Sequence, residues 1–443
     1  MKLSCVRFLD YTIVSLGMTR REIMLDINII RNNPGKIQQA AKAKRVDIDA
    51  QHILEIDAKY RELAQAVQKL REERNKFTES LKGKKPSAEQ IQEGREFKEK
   101  LEKEEHAMDA VYKELQEWLL KIPNPAKDDV KIGKDENENE VIRKHKEPTK
   151  FSFTPKDHLE LGEALDIIDV KTAAKVSGSR FGYLKNEGVL LEFALKQLAF
   201  ELLLKEGFIP ILPPVLIKKE IMDELGYTAM GEDENIFFLD KDNLYLVGTS
   251  EQSIVPMHKD AVLKKEELPK RYVGFSTCFR REAGSYGKDT KGIFRVHQFD
   301  KVEMVSFVAE GEDDKEHEYL LSLEERFFQM LNIPYQVVAI CTGDLGFNAA
   351  RKYDIEAWIP SQNKYREVTS VSTVTDFQSR RLNMRYQDGS EKKYLNVLNG
   401  TAFSMFRPII AILENYQRED GSVVVPDVLQ KWVGKKVIMP LSN

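Results

Sequence analysis

"CFRREAGSYGKDTKGIFRVHQFDKVEM", residues 278–304, places two short, partly apolar runs on either side of a Gly-rich polar segment, "AGSYGKDTKG". In an extended strand successive side chains point to opposite faces, so a strand through "TCFRRE" puts Cys278, Arg280 and Glu282 together and turns Arg281 away. The same rule applied to "RVHQFDKVEM" groups Phe299, Lys301 and Glu303. As antiparallel neighbours the two strands would present an arginine, two glutamates and a phenylalanine from one sheet surface. Such a set suits a nucleotide, with a guanidinium for a phosphate, a carboxylate for an adenine amino group and a ring for stacking. Taken alone, Arg-x-Glu on a strand is more often a surface ion pair, so the surrounding sequence has to decide.

Outward from this hairpin, Val189 to Glu206 reads as a buried helix. Strand-like runs follow with turn signals between them: "YLVGTSEQ", "YVGFSTCFRRE", "RVHQFDKVEMVSFV", "YQVVAICTG", "YDIEAWIP", "YREVTSVST" and "KYLNVLNG". Several come consecutively without intervening helices, which predicts an α+β domain over 158–443 with an antiparallel sheet flanked by helices. Residues 126–157, within a stretch rich in charge and bounded by prolines, read as a linker.

N-terminal to the linker the pattern changes period. Ile53, Ile56, Tyr60, Leu63, Val67, Leu70, Phe77 and Leu81 follow steps of three and four, as do Phe97, Leu101, Met108, Val111, Leu115, Trp118 and Ile122 after the break at "KGKKPS". Two heptad helices joined by one short turn must fold back on each other, each roughly 40 Å long at 1.5 Å per residue. This predicts an antiparallel two-helix coiled-coil arm within residues 24–125, projecting into solvent. Lys82, Lys84 and Lys85 fall at its tip, where they would suit a phosphate backbone. A spacer or a dimerisation device is the alternative. Met24 opens "MLDINIIRNNPGKI", a plausible start, so residues 1–23 read as an extension of uncertain role.

Net charge is −4 and the pI near 6.1, so any nucleic-acid binding must use local basic patches rather than a global field. Three cysteines without C-x-x-C spacing suggest neither a disulfide framework nor a zinc site, which fits a reducing cytoplasm. There is no apolar run of about 18 residues to cross a membrane, and "MKLSCVRFLDYTIVSLGMTRREI" lacks a sustained signal-peptide core.

"GFIPILPP", "FRRE…RVHQFDKVEM" and "LNGTAFSMFRPIIAILENYQ" resemble, in order and spacing, motifs 1, 2 and 3 of the class II aminoacyl-tRNA synthetases. More narrowly, "TSE", "EAGSYGKDTKGIFRVHQFDKVEM", "CTGDLGFNAARKYDIEAWIP", "YREVTSVSTVTDFQSRR" and "LNGTA" resemble the seryl-tRNA synthetase family, and the arm fits it too. The resemblance implies a serine–tRNA ligase with ATP and Mg²⁺ as its small partners and no zinc. It places Arg280 on the α-phosphate, Arg407 on the γ-phosphate, Glu282 on the adenine amino group and Phe299 against the base, with Arg281, Val296, Val368 and Thr369 completing the ATP site. Glu367 and Ser370 would hold Mg²⁺, a hard ion suited to oxygen ligands. Thr249, Ser250, Glu251, Arg280, Glu303, Asn399 and Thr401 would bind L-serine. The arm would read the variable arm of tRNA(Ser) by shape, with tRNA(Sec) as a second candidate, and motif 1 would form a homodimer.

Amino-acid activation has an ionised carboxylate attacking phosphorus, so no general base is required, and His297 is given no catalytic role. Two other classes compete: a non-catalytic relative kept as a structural or RNA-binding protein, and a ligase that charges a carrier protein. Val371, Thr373, Val374, Phe403 and Met405 depart from the family's usual residues and put the shape of the pocket floor in question.

Overall fold

The computed structural model describes residues 27–83, 85–229, 234–283 and 291–441. Lys84, the first 23 residues and most of the segment joining the opening hairpin lie outside them. By internal contacts the chain forms two compact units, Met24–Pro125 and the rest.

In the first unit α1 (Ala50–Ser80) and α2 (Ala88–Leu120) lie antiparallel. Ring pairs show the direction: His52–Trp118 at 5.0 Å, Tyr60–Tyr112 at 5.3 Å and Phe77–Phe97 at 5.6 Å climb one helix while descending the other. Heptad positions Val67, Leu70, Leu101 and Met108 form a buried seam, and Arg71 bridges to Glu105 at 2.6 Å beside it. Asp49 caps α1, while Ser87 and Gln90 cap α2 reciprocally, satisfying backbone donors that helix starts leave open. Lys82 and Lys85 are exposed in the turn between the helices.

The second unit is built on an eight-stranded sheet. Its strands in chain order are β1 (Glu140–His145), β2 (Ile209–Ile211), β3 (Lys270–Phe279), β4 (Gln298–Val308), β5 (Tyr335–Ala339), β6 (Arg351–Ile359), β7 (Lys364–Thr375) and β8 (Asn396–Ser404). They lie side by side as β1-β5-β6-β7-β8-β4-β3-β2, antiparallel throughout except for β2 against β3. The helices that matter to the site are α3 (His158–Ala164), α4 (Asn186–Lys205), α5 (Asp313–Met330) and α6 (Phe406–Asn415). Alternating residues of the central strands pack against α4, α5 and α6 in one continuous core, which includes Leu195, Leu198, Val302, Met304, Phe327, Phe403 and Ile410.

Three expectations change. The segment read as a linker contributes β1, an edge strand paired with β5; it is exposed almost throughout, so its charge-rich sequence carries no apolar alternation to read. Of the run "YLVGTSEQ" only Tyr245 and Leu246 are extended, at the end of a strand over Leu244–Leu246, and Glu251 opens a short helical turn. The strand through "TCFRRE" ends at Phe279, and Glu282 adopts φ 52°, which extended alternation does not produce.

The five departing residues are buried. Val371, Phe403 and Met405 belong to the main core, Val374 to a second apolar cluster, and Thr373 donates its hydroxyl to Asp313 at 3.0 Å. They change the packing of the sheet rather than the lining of the cleft described next.

Candidate active site

Where β3 gives way to a turn, the backbone N–H of Arg280 donates to the His297 carbonyl at 2.9 Å, and His297 Nδ1 lies 2.9 Å from the Arg280 carbonyl. These bonds fix the path on which Arg280 and Glu282 sit after the strand has ended. His297 therefore has a structural task. The Arg280 guanidinium donates to the Gly248 carbonyl at 3.2 and 3.3 Å and lies 5.3 Å from the Phe299 ring. Glu282 accepts from Arg295 at 3.1 Å.

One cleft is lined by Arg280, Glu282, Val296, Phe299, Glu367, Val368, Thr369, Ser370, Thr401 and Arg407. Strand β4 brings Phe299, β7 brings residues 367–370, β8 brings Thr401, and the start of α6 brings Arg407. Residues scattered over more than a hundred positions thus meet because β4, β8 and β7 are adjacent. Arg281 is not among them: it turns away, donates to the Ile236 carbonyl at 3.0 Å and lies 4.8 Å from the Phe237 ring.

Charge in the cleft is organised around Glu367. Arg407 Nη1 lies 3.1 Å from its carboxylate and also donates to its carbonyl at 3.1 Å. Burial pushes the Glu367 carboxyl up, but Arg407, Lys352 and Arg280 outweigh it and hold the group at about 2. The neighbouring Asp354 has no such arginines, and burial, aided by Glu367, pushes it up to about 7 against the pull of Lys352. Glu367 and Ser370, three residues apart on β7, offer an ionised carboxylate and a hydroxyl, oxygen donors of the kind a hard divalent cation takes. No group of three or more His, Cys, Asp or Glu side chains is placed to hold a metal among the described residues. An ion here would complete its shell with water and substrate oxygens.

A second polar cluster adjoins the cleft and shares Lys301 and Thr401 with its lining. Lys301 Nζ lies 2.6 Å from Glu303 and donates to Thr249 Oγ1 at 3.3 Å, while Thr401 Oγ1 donates to Glu303 at 3.3 Å. Burial pushes the Glu303 carboxyl up, and Lys301 opposes it. Glu251 accepts from Tyr227 and Gln378, each at 2.9 Å, and from Asn399. Ser250 is fully buried, with its hydroxyl packed toward Gly274.

Sequence reasoning missed Lys301, Arg295, Tyr227 and Gln378 as members of the site. Lys301 had a visible signal, since it shares a strand face with Phe299 and Glu303. Tyr227 and Gln378 had none, because their parts depend on distant segments meeting.

A model of the seryl-tRNA synthetase N-terminal domain matches residues 24–126, and a model of the tRNA synthetase class II core domain (G, H, P, S and T) matches residues 236–416. The chain is 44% identical over 424 residues to a serine–tRNA ligase of Dictyoglomus turgidum, covering 94% of this chain and 100% of that one. It is 45% identical over 422 residues to a serine–tRNA ligase of Acidothermus cellulolyticus, at the same coverages. Among solved structures, seryl-tRNA synthetase from Pyrococcus horikoshii complexed with ATP superposes with a TM-score of 0.88 at 39% identity, covering 95% of this chain and 100% of that one. The cytoplasmic serine–tRNA ligase of Naegleria fowleri in complex with AMP gives 0.84 at 31% identity, covering 95% and 99%.

Proposed function

The chain belongs to the seryl-tRNA synthetase family, and on that premise we propose how its residues divide the work of serine–tRNA ligation. Serine and ATP give seryl adenylate and pyrophosphate, and the seryl group then passes to the 3′-terminal adenosine of tRNA(Ser). The serine carboxylate is itself the nucleophile at the α-phosphorus. The chain must therefore supply placement and positive charge where negative charge develops.

Arg280 takes the α-phosphate and steadies the serine carboxylate, Arg407 takes the γ-phosphate, Phe299 stacks on adenine and Glu282 accepts from its amino group. The convergence of Arg280, Arg407 and Glu367 on one cleft carries this reading. Glu367 and Ser370 would hold Mg²⁺, which when bound neutralises charge between phosphates. Glu303 and Thr401 receive the serine ammonium and hydroxyl, with Thr249, Glu251 and Asn399 shaping the pocket around them. A site built to bond a hydroxyl rejects an analogue lacking one by roughly 10⁴-fold, because buried polar groups are left unpaired. Alanine is excluded on that ground and threonine by bulk.

The arm serves tRNA, its exposed tip lysines meeting the phosphate backbone. A homodimer is supported by apolar residues left in water along α4, in β2 and just past it: Phe193, Leu204, Ile209 and Leu212. No helix among the described residues is long and apolar enough to cross a membrane, and Cys278 and Cys341 are free thiols, which suits the cytoplasm.

Serine-dependent exchange of pyrophosphate into ATP tests this assignment. Exchange with serine far above threonine, alanine and glycine is expected, together with a 10²- to 10³-fold loss in Arg407→Ala, the scale of one charge-stabilising donor. Absence of serine-dependent exchange would sink it.

A further inference from the structure

We propose that His158 is a positioning residue for ATP: oriented by Glu414, its imidazole holds Gly292 and Ile293 so that Phe294 backs Arg407. This rests on the functional reading above and concerns a histidine outside the cleft. His158 opens α3 and is buried. The fully buried Glu414 carboxylate accepts the His158 backbone N–H at 3.1 Å and lies 3.3 Å from its Nδ1, while its other oxygen takes the Ser361 N–H at 3.0 Å. A proton on Nδ1 satisfies that contact and leaves Nε2 as an acceptor, and the Ile293 backbone N–H donates to it at 3.4 Å.

The fit between ring and backbone is close. A Cβ at position 292 would stand 2.1 Å from Nε2, and Gly292 has φ +75°, so both space and conformation require glycine there. The next side chain but one, Phe294, lines the cleft and lies 5.1 Å from the Arg407 guanidinium and 4.2 Å from that of Arg366. Helix α6 thus holds the segment from both ends, through Arg407 near its start and through Glu414 and His158 near its finish.

A histidine that merely filled the core would affect stability and both substrates alike. A positioning histidine affects ATP selectively, and the type of replacement matters. His158→Gln carries an oxygen to about the Nε2 position and keeps an acceptor for Ile293, whereas His158→Asn keeps a donor for Glu414 and has nothing at Nε2. Measured by pyrophosphate exchange, His158→Asn is expected to raise the KM for ATP about tenfold, the scale of one buried hydrogen bond left unmade. The KM for serine stays near wild type, and His158→Gln restores the ATP KM to within about threefold. Gly292→Ala, which drives the ring and the segment apart, gives the same ATP-selective rise and carries the test should His158→Asn fail to fold. An unchanged ATP KM in His158→Asn or Gly292→Ala, or parallel rises for ATP and serine, would overturn the role of His158 alone. An inactive wild type would instead remove the premise.

Discussion

Glu303 must be ionised to accept an ammonium group, yet burial pushes its carboxyl above the ordinary glutamate value, and Lys301 at 2.6 Å only opposes the shift. For an acid with a raised pKa, the charged form is lost as pH falls through that raised value, so the acid limb of kcat/KM for serine lies above pH ~4.3, where an unperturbed glutamate would titrate. Pyrophosphate exchange followed from pH 8 down to pH ~4.3 should show serine kcat/KM falling on the acid side. Glu303→Gln should be flat over that range and about 10- to 100-fold lower, the range for a lost hydrogen bond to a charged group. A wild-type profile as flat as the variant's would refute the role. Much of this chemistry was legible in the hairpin, because Phe299, Lys301 and Glu303 obey simple strand alternation. Arg280 and Glu282 come together for a different reason: the strand has stopped, and hydrogen bonds to His297 and an ion pair with Arg295 replace it. No period in the sequence encodes such contacts.

The arm is the element whose sequence speaks most plainly, since every turn of its heptads repeats the same instruction and few long-range contacts are needed to obey it. Strands were harder. Short extended segments such as Leu244–Leu246 depend on their neighbours, and the strand at Glu140–His145 is exposed, with no apolar alternation to read. The arm's separate unit permits a clean division of labour. Replacing Lys82 and Lys85 by alanine should raise the KM for tRNA several-fold, lower the salt slope of charging by about one for each phosphate no longer neutralised, and leave pyrophosphate exchange unchanged. Impaired exchange in that double variant would contradict the separation of tasks.

Across the whole molecule, α4 carries the assembly prediction: its buried side is core, while Phe193 and Leu204 face water beside the open edge of β2. Leu212 is 79% exposed, an unusual cost unless a second copy covers it. Light scattering at micromolar concentration should give a dimer for the wild type and a 51.1 kDa species for Leu212→Glu. A monomeric wild type would rule the interface out. The departures at Val371, Thr373, Val374, Phe403 and Met405 belong to this scale too; the sequence marked them as unusual, but only their depth in the packing shows that they leave the cleft's charges alone.

The pairing of Glu140–His145 with Tyr335–Ala339 has a practical corollary for anyone dissecting the chain. Excision after Pro125 respects the boundary between the units, whereas excision at residue 158 would strip the flank of β5, baring a row of backbone donors and acceptors. It would also discard Lys127, whose ammonium sits 2.7 Å from Asp313, and Asp129, the 2.7 Å partner of Arg351. The shorter fragment would be prone to self-association through its new margin, and its lost activity would then say nothing about tRNA.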